Sequence, residues 1–302
     1  MTLATHAGFT TTGTQGLRHD ILPMRLYHKA KKLGIWDPRD IDFTQDILDW
    51  QQCTDRQKES LLNLTALFQA GEESVTLDLL PLIMVIAQEN RIEEEMFLTT
   101  FLWEEAKHTE FFRRYLDEVA NEHGDLHHHH TPSYRKIFYE ELPRTMHTLL
   151  SDQSPVALAR ASTVYNMIVE GVLAETGYHA YFNMLERNNI MPGLKKGIGY
   201  LKRDESRHLA YGVYLLSRLV AQDNSLWDVI EGYMNELLVY AHGMISELFA
   251  MNPEDEEVPF GLKIEDYLDF STMQFSKRVE RIQRAKGQSL EQLYQIPEET
   301  EA

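Results

Sequence analysis

Two features of the 302-residue sequence predict an all-α protein built from long helices. Apolar side chains recur at helical spacing through long stretches, such as residues 55–88 and 156–186. Only 16 Gly and 10 Pro are present, which is too few for a turn-rich β fold. No internal repeat and no low-complexity linker divides the chain, so we expect one domain over residues 1–302.

Helix-capping residues and prolines indicate where the helices begin and end. Thr54 or Asp55 caps a long helix, and Pro81 and Pro143 should bend or divide the helices that contain them. The predicted helices cover residues 23–33, 55–88, 91–122, 133–150, 156–186, 194–219, 225–249 and 264–285.

The remaining segments are predicted to be irregular. Residues 1–20 are rich in Thr and Gly and should form an irregular arm, whereas residues 288–302 should be a flexible acidic tail. Residues 121–132 are polar and contain the four-histidine run His127–His130. We expect a solvated loop there, in which any metal binding would be adventitious.

Composition excludes several classes of protein. Asp and Glu number 47 against 29 Lys and Arg, and a net charge of -18 disfavours nucleic acid and anionic membrane surfaces as partners. The single cysteine, Cys53, cannot form an internal disulfide, which favours the reducing cytoplasm. We expect no secretion, because no basic segment followed by an apolar run opens the chain, and no integral membrane segment, because no apolar stretch reaches about 18 residues.

Two Glu-x-x-His pairs are candidate metal ligands. They are Glu105 with His108, and Glu205 with His208. On a helix, such residues lie about 60° apart around the axis and about 4.5 Å apart along it, so both can bind one ion. A single Glu-x-x-His pair is weak evidence, because such a pair also arises by chance. A dinuclear carboxylate site in a helical bundle needs two pairs and a further Glu on each of two other helices.

Glu72 and Glu170 meet that requirement by their spacing. Residues at equal height in an antiparallel helical hairpin are equidistant from its turn. The midpoint between Glu72 and Glu105 falls at residues 88–89, and that between Glu170 and Glu205 falls at residues 187–188, both at predicted breaks. Both residues also lie in apolar surroundings, where an unpaired carboxylate would be costly.

The sequence therefore predicts a dinuclear metal site with one imidazole per ion. Hard carboxylate oxygens with imidazole suit iron or manganese. The six predicted ligands are Glu72, Glu105, His108, Glu170, Glu205 and His208.

These residues resemble the ribonucleotide reductase small-subunit superfamily, and within it the ligand-binding oxidases that assemble a manganese/iron centre. The similarity extends from about Trp36 to Lys286. It implies an all-α, ferritin-like four-helix bundle core with additional helices. The motifs that carry it are Trp36-x-Pro38-x-x-Ile41-Asp42-x-x-x-Asp46, residues 70–78 (AGEESVTLD), Glu105-Ala106-Lys107-His108, residues 164–171 (VYNMIVEG) and Asp204-Glu205-x-Arg207-His208.

The resemblance also implies which metal each residue binds. Manganese would take Glu72, Glu105 and His108, and iron would take the other three. Because all six side chains accept iron, a di-iron centre stays open.

The implied reaction is oxidation by dioxygen. In the family it leaves an ether cross-link between a tyrosine and the β-carbon of a valine, and the matching positions are Tyr165 and Val75. Val75 can face the metals because it follows Glu72 by one turn. Tyr165 precedes Glu170 by five residues, about 140° away on an ideal helix, so spacing alone would not select it, and a helical bulge would help it face the site.

A ligand pocket is also implied. A long-chain fatty acid or similar apolar ligand would lie in a channel with its carboxylate at the metals. Ala174 and Tyr178 follow Glu170 by one and two turns and are candidate pocket residues, with ordinary core packing as the alternative. Gly71 is costly inside a helix, which suggests close packing beside Glu72.

Two other functions stay open. Phe112 occupies the position of the radical tyrosine of most reductase small subunits, so a tyrosyl radical there is excluded. A reductase subunit without that radical would still need a redox tyrosine in its tail, and Tyr294 is the candidate. Trp36 and Asp204 match the superfamily's electron-transfer route or are structural. The third reading is a non-catalytic metal binder or scaffold, and the resemblance implies a homodimer.

Overall fold

The computed structural model describes residues 8–252 and 257–294, and every regular element within them is helical. The α-helices are α1 (Leu22–Leu33), α2 (Thr44–Gln52), α3 (Asp55–Asp78), α4 (Leu80–Gln88), α5 (Ile92–Tyr115), α6 (Pro132–Arg135), α7 (Leu142–Thr148), α8 (Pro155–Ser162), α9 (Glu175–Asn188), α10 (Pro192–Gln222), α11 (Leu226–Ala250), α12 (Ile264–Gln283) and α13 (Leu290–Tyr294). Segments of π-helix cover Leu116–Ala120, Lys136–Glu141 and Thr163–Ala174, and 3-10 turns cover Thr10–Thr12, Pro38–Asp40, His127–His129 and Pro259–Gly261.

Four long helical runs form the bundle that carries the predicted ligands. They are α3, α5, the continuous run from α8 through the π-segment into α9, and α10. The first two are joined through α4 and the last two by the turn after Asn188, so they form two hairpins. This confirms the ferritin-like helical fold, and both breaks fall where the carboxylate midpoints predicted them.

Local sequence signals explain how the bundle helices begin and end. Thr54 and Gln57 form a reciprocal capping box that starts α3. The helix ends at Asp78, and Pro81 lies in the first turn of α4, so the proline divides the run as predicted. The buried carboxylate of Asp46 accepts hydrogen bonds from the backbone nitrogens of Gly193 and Leu194 and caps α10.

Two hydrophobic clusters fill the interior, and the predicted ligands lie between them. Phe68, one turn before Glu72, belongs to the cluster that contains Phe112. Val75, about one turn after Glu72, belongs to the cluster that contains Tyr165. The polar site is therefore enclosed by apolar packing on both sides along α3.

Three parts of the structure differ from the sequence predictions. Residues 44–52 form α2, which was not predicted. Residues Leu290–Tyr294 lie within the predicted tail but form a helix with Leu293 buried, because Leu293 packs on the hydrophobic core. His129 and His130 are buried rather than solvated, since the turn His127–His129 packs on α3.

Some predictions fall outside the described residues. Residues 1–7 of the predicted arm and 295–302 of the predicted tail belong to this group. No helix in the described part of the chain is both long and apolar enough to cross a membrane.

Candidate metal centre

The structure brings the six predicted ligands together in two overlapping clusters. One contains Glu72, Glu105, His108 and Glu205, and in the other Glu105 and Glu205 recur with Glu170 and His208. Within each cluster the candidate ligand atoms lie within 4.8 Å of one another, and every side chain is buried. Glu105 and Glu205 are common to both clusters, so they lie between the two candidate ion positions.

The distances within the clusters suit side chains that share an ion. Nδ1 of His108 lies 3.5 Å from a carboxylate oxygen of Glu105 and 3.2 Å from one of Glu205. Nδ1 of His208 lies 3.1 Å from Glu105 and 3.2 Å from Glu205. Neighbouring ligands of an ion at about 2.1 Å lie roughly 3 Å apart.

Several buried polar atoms of the clusters have no hydrogen-bond partner. They are both carboxylate oxygens of Glu105, one of Glu170, and Nδ1 of His108. Unsatisfied buried polar atoms are costly and rare in folded proteins. Here they converge, with carboxylate oxygen and imidazole nitrogen as donor atoms, so the residues present fit two hard divalent cations.

The outer nitrogen of each imidazole contacts a second carboxylate. Nε2 of His208 lies 2.9 Å from Glu104, and Nε2 of His108 lies 3.4 Å from Asp204. Arg207 donates to both carboxylates, at 2.5 Å and 2.6 Å. Such partners fix the ring orientation, so that Nδ1 points into the cluster.

Glu104 was not among the predicted site residues, and Arg207 was named only as part of the motif Asp204-Glu205-x-Arg207-His208. Glu104 directly precedes Glu105 and Arg207 directly precedes His208, but adjacency to a ligand does not by itself distinguish either residue from a surface side chain. Two successive helix positions lie about 100° apart. The carboxylate of Glu105 can therefore face the ions while that of Glu104 faces the imidazole of the opposite hairpin.

Asp204 connects the cluster to the half-buried ring of Trp36. Its Oδ2 accepts hydrogen bonds from the indole of Trp36 at 2.7 Å and from Lys107 at 3.1 Å. The Trp36 ring stacks against His108 at 6.3 Å between centroids. The predicted pair Trp36 and Asp204 is therefore in contact with the first histidine.

Burial and the neighbouring charges shift the pKa values of the carboxylates in the cluster. Burial raises the pKa of Glu72 to about 8, and burial with the neighbouring Glu205 raises the pKa of Glu170 well above its ordinary value. Burial opposes ionisation of Glu105 as well, but its contacts with His108 and His208 outweigh burial and lower its pKa to about 2. Without cations the cluster therefore holds excess protons, which ions would displace.

A π-helical segment places Tyr165 on the same side of its helix as Glu170. The segment Thr163–Ala174 bonds each amide to the carbonyl five residues earlier, so residues five apart share a face. This is the kind of bulge that was expected to help Tyr165 face the site. Asn166, one residue after Tyr165, donates to the carboxylate of Glu170 at 3.0 Å and fixes it.

Tyr165 and Val75 are in direct contact. The phenol of Tyr165 donates a hydrogen bond to the backbone carbonyl of Val75 at 3.0 Å, and both side chains are buried. Burial and the surrounding carboxylates raise the pKa of Tyr165 well above its ordinary value, so the phenol is protonated at neutral pH. Phe112 is also buried and packs against Phe68 at 5.2 Å between centroids.

A cavity of about 530 Å³ opens onto the cluster. Glu72, Glu105, Glu170 and Glu205 form part of its wall, and apolar side chains form most of the rest. The three predicted pocket residues, Gly71, Ala174 and Tyr178, also line it.

Gly71 is not required by close packing. A Cβ at this position would make ordinary contact with Phe138 at 3.5 Å. Its absent side chain instead leaves volume to the cavity.

The comparisons with known proteins agree with this geometry. The family described as ribonucleotide reductase, small chain, matches residues 24–282. An R2-like ligand-binding oxidase with aerobically reconstituted Mn/Fe cofactor is 39% identical, with a TM-score of 0.89 over 93% of this chain and 99% of its own. Valine-to-leucine and tyrosine-to-phenylalanine variants of an R2-like ligand-binding oxidase, also with that cofactor, are each 40% identical, with TM-scores of 0.86 over 93% of this chain and 100% of theirs. This chain therefore belongs to the ribonucleotide reductase small chain family and, within it, to the R2-like ligand-binding oxidases.

Proposed function

We propose that this chain is an oxidase that activates dioxygen at a manganese/iron centre held by the six buried residues. Manganese would bind Glu72, Glu105 and His108, and iron would bind Glu170, Glu205 and His208. The observation that carries the proposal is the pair of overlapping clusters with unpartnered donor atoms. The Mn/Fe cofactor of relatives that are 39–40% identical supports the choice of metals.

The chain's own residues prepare and shield this centre. When bound, the two metals supply Lewis acidity and redox capacity. Phe101 stacks on the His208 ring at 3.6 Å and excludes water from that side. Glu104 and Asp204 hold the imidazoles, and Asn166 holds Glu170, so the site is preorganised by contacts outside the ligand set.

Oxygen uptake tests this function. Protein loaded with Mn²⁺ and Fe²⁺ without oxygen should consume dioxygen rapidly when it is mixed with oxygenated buffer, and Glu170→Ala should reduce the uptake to background. Metal analysis after equimolar loading should find one Mn and one Fe per chain. No uptake by fully loaded protein would favour a non-catalytic metal binder, and two Fe per chain would favour a di-iron centre.

We propose further that Tyr165 and Val75 become joined by an ether bond. The phenol would lose its O–H hydrogen and Val75 its Cβ hydrogen, a C–O bond would form, and dioxygen would accept the two electrons and two protons. The hydrogen bond from Tyr165 to the Val75 carbonyl supports this, because it holds the phenol beside that residue.

Peptide mapping tests the cross-link. After aerobic metal loading, the peptides containing Val75 and Tyr165 should remain joined after proteolysis and be lighter than their sum by two hydrogens. Tyr165→Phe provides the matched control, since it keeps the ring and removes only the phenolic oxygen. Separate peptides of normal mass in the unchanged protein would refute the cross-link.

We propose that the cavity binds a long-chain fatty acid or a similar apolar ligand. Its apolar lining and the carboxylate cluster at one end suit an acyl chain whose carboxylate reaches the metals. Organic extraction of purified, metal-loaded protein followed by mass spectrometry should release such an acid. Gly71→Leu should abolish its recovery because the side chain would occupy the cavity, and recovery of equal amounts would contradict the assignment.

The alternative function, a reductase small subunit without the tyrosyl radical, requires a redox tyrosine in a tail that can reach a large subunit. Tyr294 instead lies at the end of α13, with Arg18 over its ring at 4.5 Å and Tyr214 at 6.4 Å. Nucleotide reduction on addition of a cognate large subunit would favour this alternative over the oxidase.

One domain, a homodimer and a cytoplasmic location also remain predictions. The single cysteine supports a reducing compartment, and homodimerisation follows only from the family resemblance. Light scattering of the metal-loaded protein would give its oligomeric state directly.

A further inference from the structure

The four-histidine run folds against the outer end of the cavity. The turn His127–His129 packs on α3, and its residues His128 and His129 line the cavity together with Glu59 of that helix. Glu59 precedes Glu72 by 13 residues, or about 20 Å of helix, so this region is separate from the buried centre.

Three side chains meet at this point with donor atoms suited to a metal. One ring nitrogen each from His128 and His129 and a carboxylate oxygen of Glu59 lie within 4.8 Å of one another. Ligands on one ion at about 2.1 Å lie roughly 3–4 Å apart, so a small movement of the exposed Glu59 and His128 side chains would complete the site.

The two imidazoles are already oriented. Nδ1 of His128 lies 3.0 Å from the backbone carbonyl of Asp125, an acceptor only, so Nδ1 carries the proton and Nε2 keeps its lone pair. His129 is buried, and its Nδ1 contacts the side-chain oxygen of Asn63, which lies one turn after Glu59 on α3. Burial also lowers the pKa of His129, which favours the neutral ring that a metal requires.

We propose that Glu59, His128 and His129 form a mononuclear site for a late first-row divalent cation of the Zn²⁺ or Co²⁺ type. Two imidazoles and one carboxylate are the protein ligands of many such sites, in which water fills the remaining positions. An ion here would tie the histidine turn to α3 across the outer end of the cavity. The proposal does not depend on what the buried cluster binds.

The experiment begins with full-length protein already loaded with Mn and Fe, so that the buried cluster is filled. This holoprotein is titrated with Co²⁺ against a chromophoric chelator, and metal analysis afterwards checks that Mn and Fe have stayed in place. We expect one further equivalent of Co²⁺ to bind, and the Co²⁺ to raise the melting temperature.

Three variants locate the ion. Glu59→Gln and His128→Ala should each weaken Co²⁺ binding at least about tenfold and abolish the rise in melting temperature. His127→Ala is the matched control: it lies in the same run and is exposed, but it lies outside the three-residue site and should bind as the unchanged protein does. Glu59 and His128 are exposed, so neither change should impair folding.

Two results would overturn the proposal. The first is the absence of any further Co²⁺ equivalent in the unchanged holoprotein. The second is an equal loss of affinity in His127→Ala and His128→Ala, which would mean adventitious binding by the histidine run as a whole.

Discussion

Each imidazole of the buried cluster is fixed by a carboxylate behind it. Glu104 faces His208 and Asp204 faces His108, with Arg207 hydrogen-bonded to both acids. The arrangement crosses between hairpins, because each acid lies on a different helix from the histidine it contacts. It therefore orients the ligands and ties the two hairpins together.

The first prediction concerns Glu104. In Glu104→Gln, the His208 ring should lose its charged partner, and the affinity for the ion that it faces should fall about 10- to 100-fold. Isothermal titration or chelator competition with Mn²⁺ and Fe²⁺ would measure the change. Glu110→Gln on the same helix is the control, since Glu110 is exposed. Equal affinities in the two variants would contradict the positioning role.

At the scale of single residues, the sequence predicts the metal ligands better than the side chains that orient them. Glu-x-x-His spacing and hairpin symmetry constrain six residues, because metal coordination demands a particular geometry. Neither rule distinguishes Glu104 from a surface acid beside Glu105. Only the packing of α10 against α5 reveals that His208 lies opposite it.

At the scale of elements, the π-segment has the greatest effect on the site. Thr163–Ala174 turns Tyr165 toward Val75 while Asn166 holds Glu170. Helical periodicity predicts that this stretch is helical, but it cannot predict that the backbone hydrogen bonds change from the α-helical to the π-helical pattern. That change depends on packing against neighbouring helices, as at Gly212 of α10, where a Cβ would lie 2.3 Å from Cβ of Asn166.

The second prediction uses this close approach. Gly212→Ala should destabilise the protein by about 1–3 kcal/mol, because the new methyl group would push α10 away from the π-segment. Gly199→Ala on the same helix should instead stabilise by up to about 1 kcal/mol, since no atom lies within 4 Å of the added Cβ. Urea unfolding of both variants measures the difference. Equal stabilities would show that the two helices do not constrain each other at this point.

At the scale of the whole molecule, the buried charge links folding to metal binding. In metal-free protein, burial raises the pKa of Glu72 to about 8 and that of Glu170 well above its ordinary value. Burial alone would lower the pKa values of His108 and His208, but contacts with carboxylates outweigh it and raise both. All four groups thus hold protons more tightly in the folded state.

The third prediction is the resulting pH dependence. Groups whose folded pKa lies above the unfolded value lose their stabilising contribution as pH rises toward the folded value. The free energy of unfolding of metal-free protein should therefore fall between about pH 5 and pH 8, whereas metal-loaded protein should show a smaller fall, because cations replace the protons. Urea titrations at several pH values measure both. Rising stability of the metal-free protein over this window would contradict the account.

The sequence predicts most of the architecture because long periodic helices and proline breaks are local signals. The prediction is wrong where a segment that looks exposed is buried by the rest of the fold. The histidine run looks like a solvated loop but packs on α3, and Leu293 lies in an acidic segment but packs in the core. In both places the deciding contacts come from residues distant in sequence, which no local pattern contains.

The most direct test of the central claim is a crystal structure of aerobically loaded protein with anomalous data at the Mn and Fe edges. We predict two metal peaks between the six ligands, with Mn beside Glu72 and His108 and Fe beside Glu170 and His208. Glu105 and Glu205 should lie between the peaks. Fully loaded protein without two peaks at these positions would contradict the dinuclear centre on which the proposed oxidase function depends.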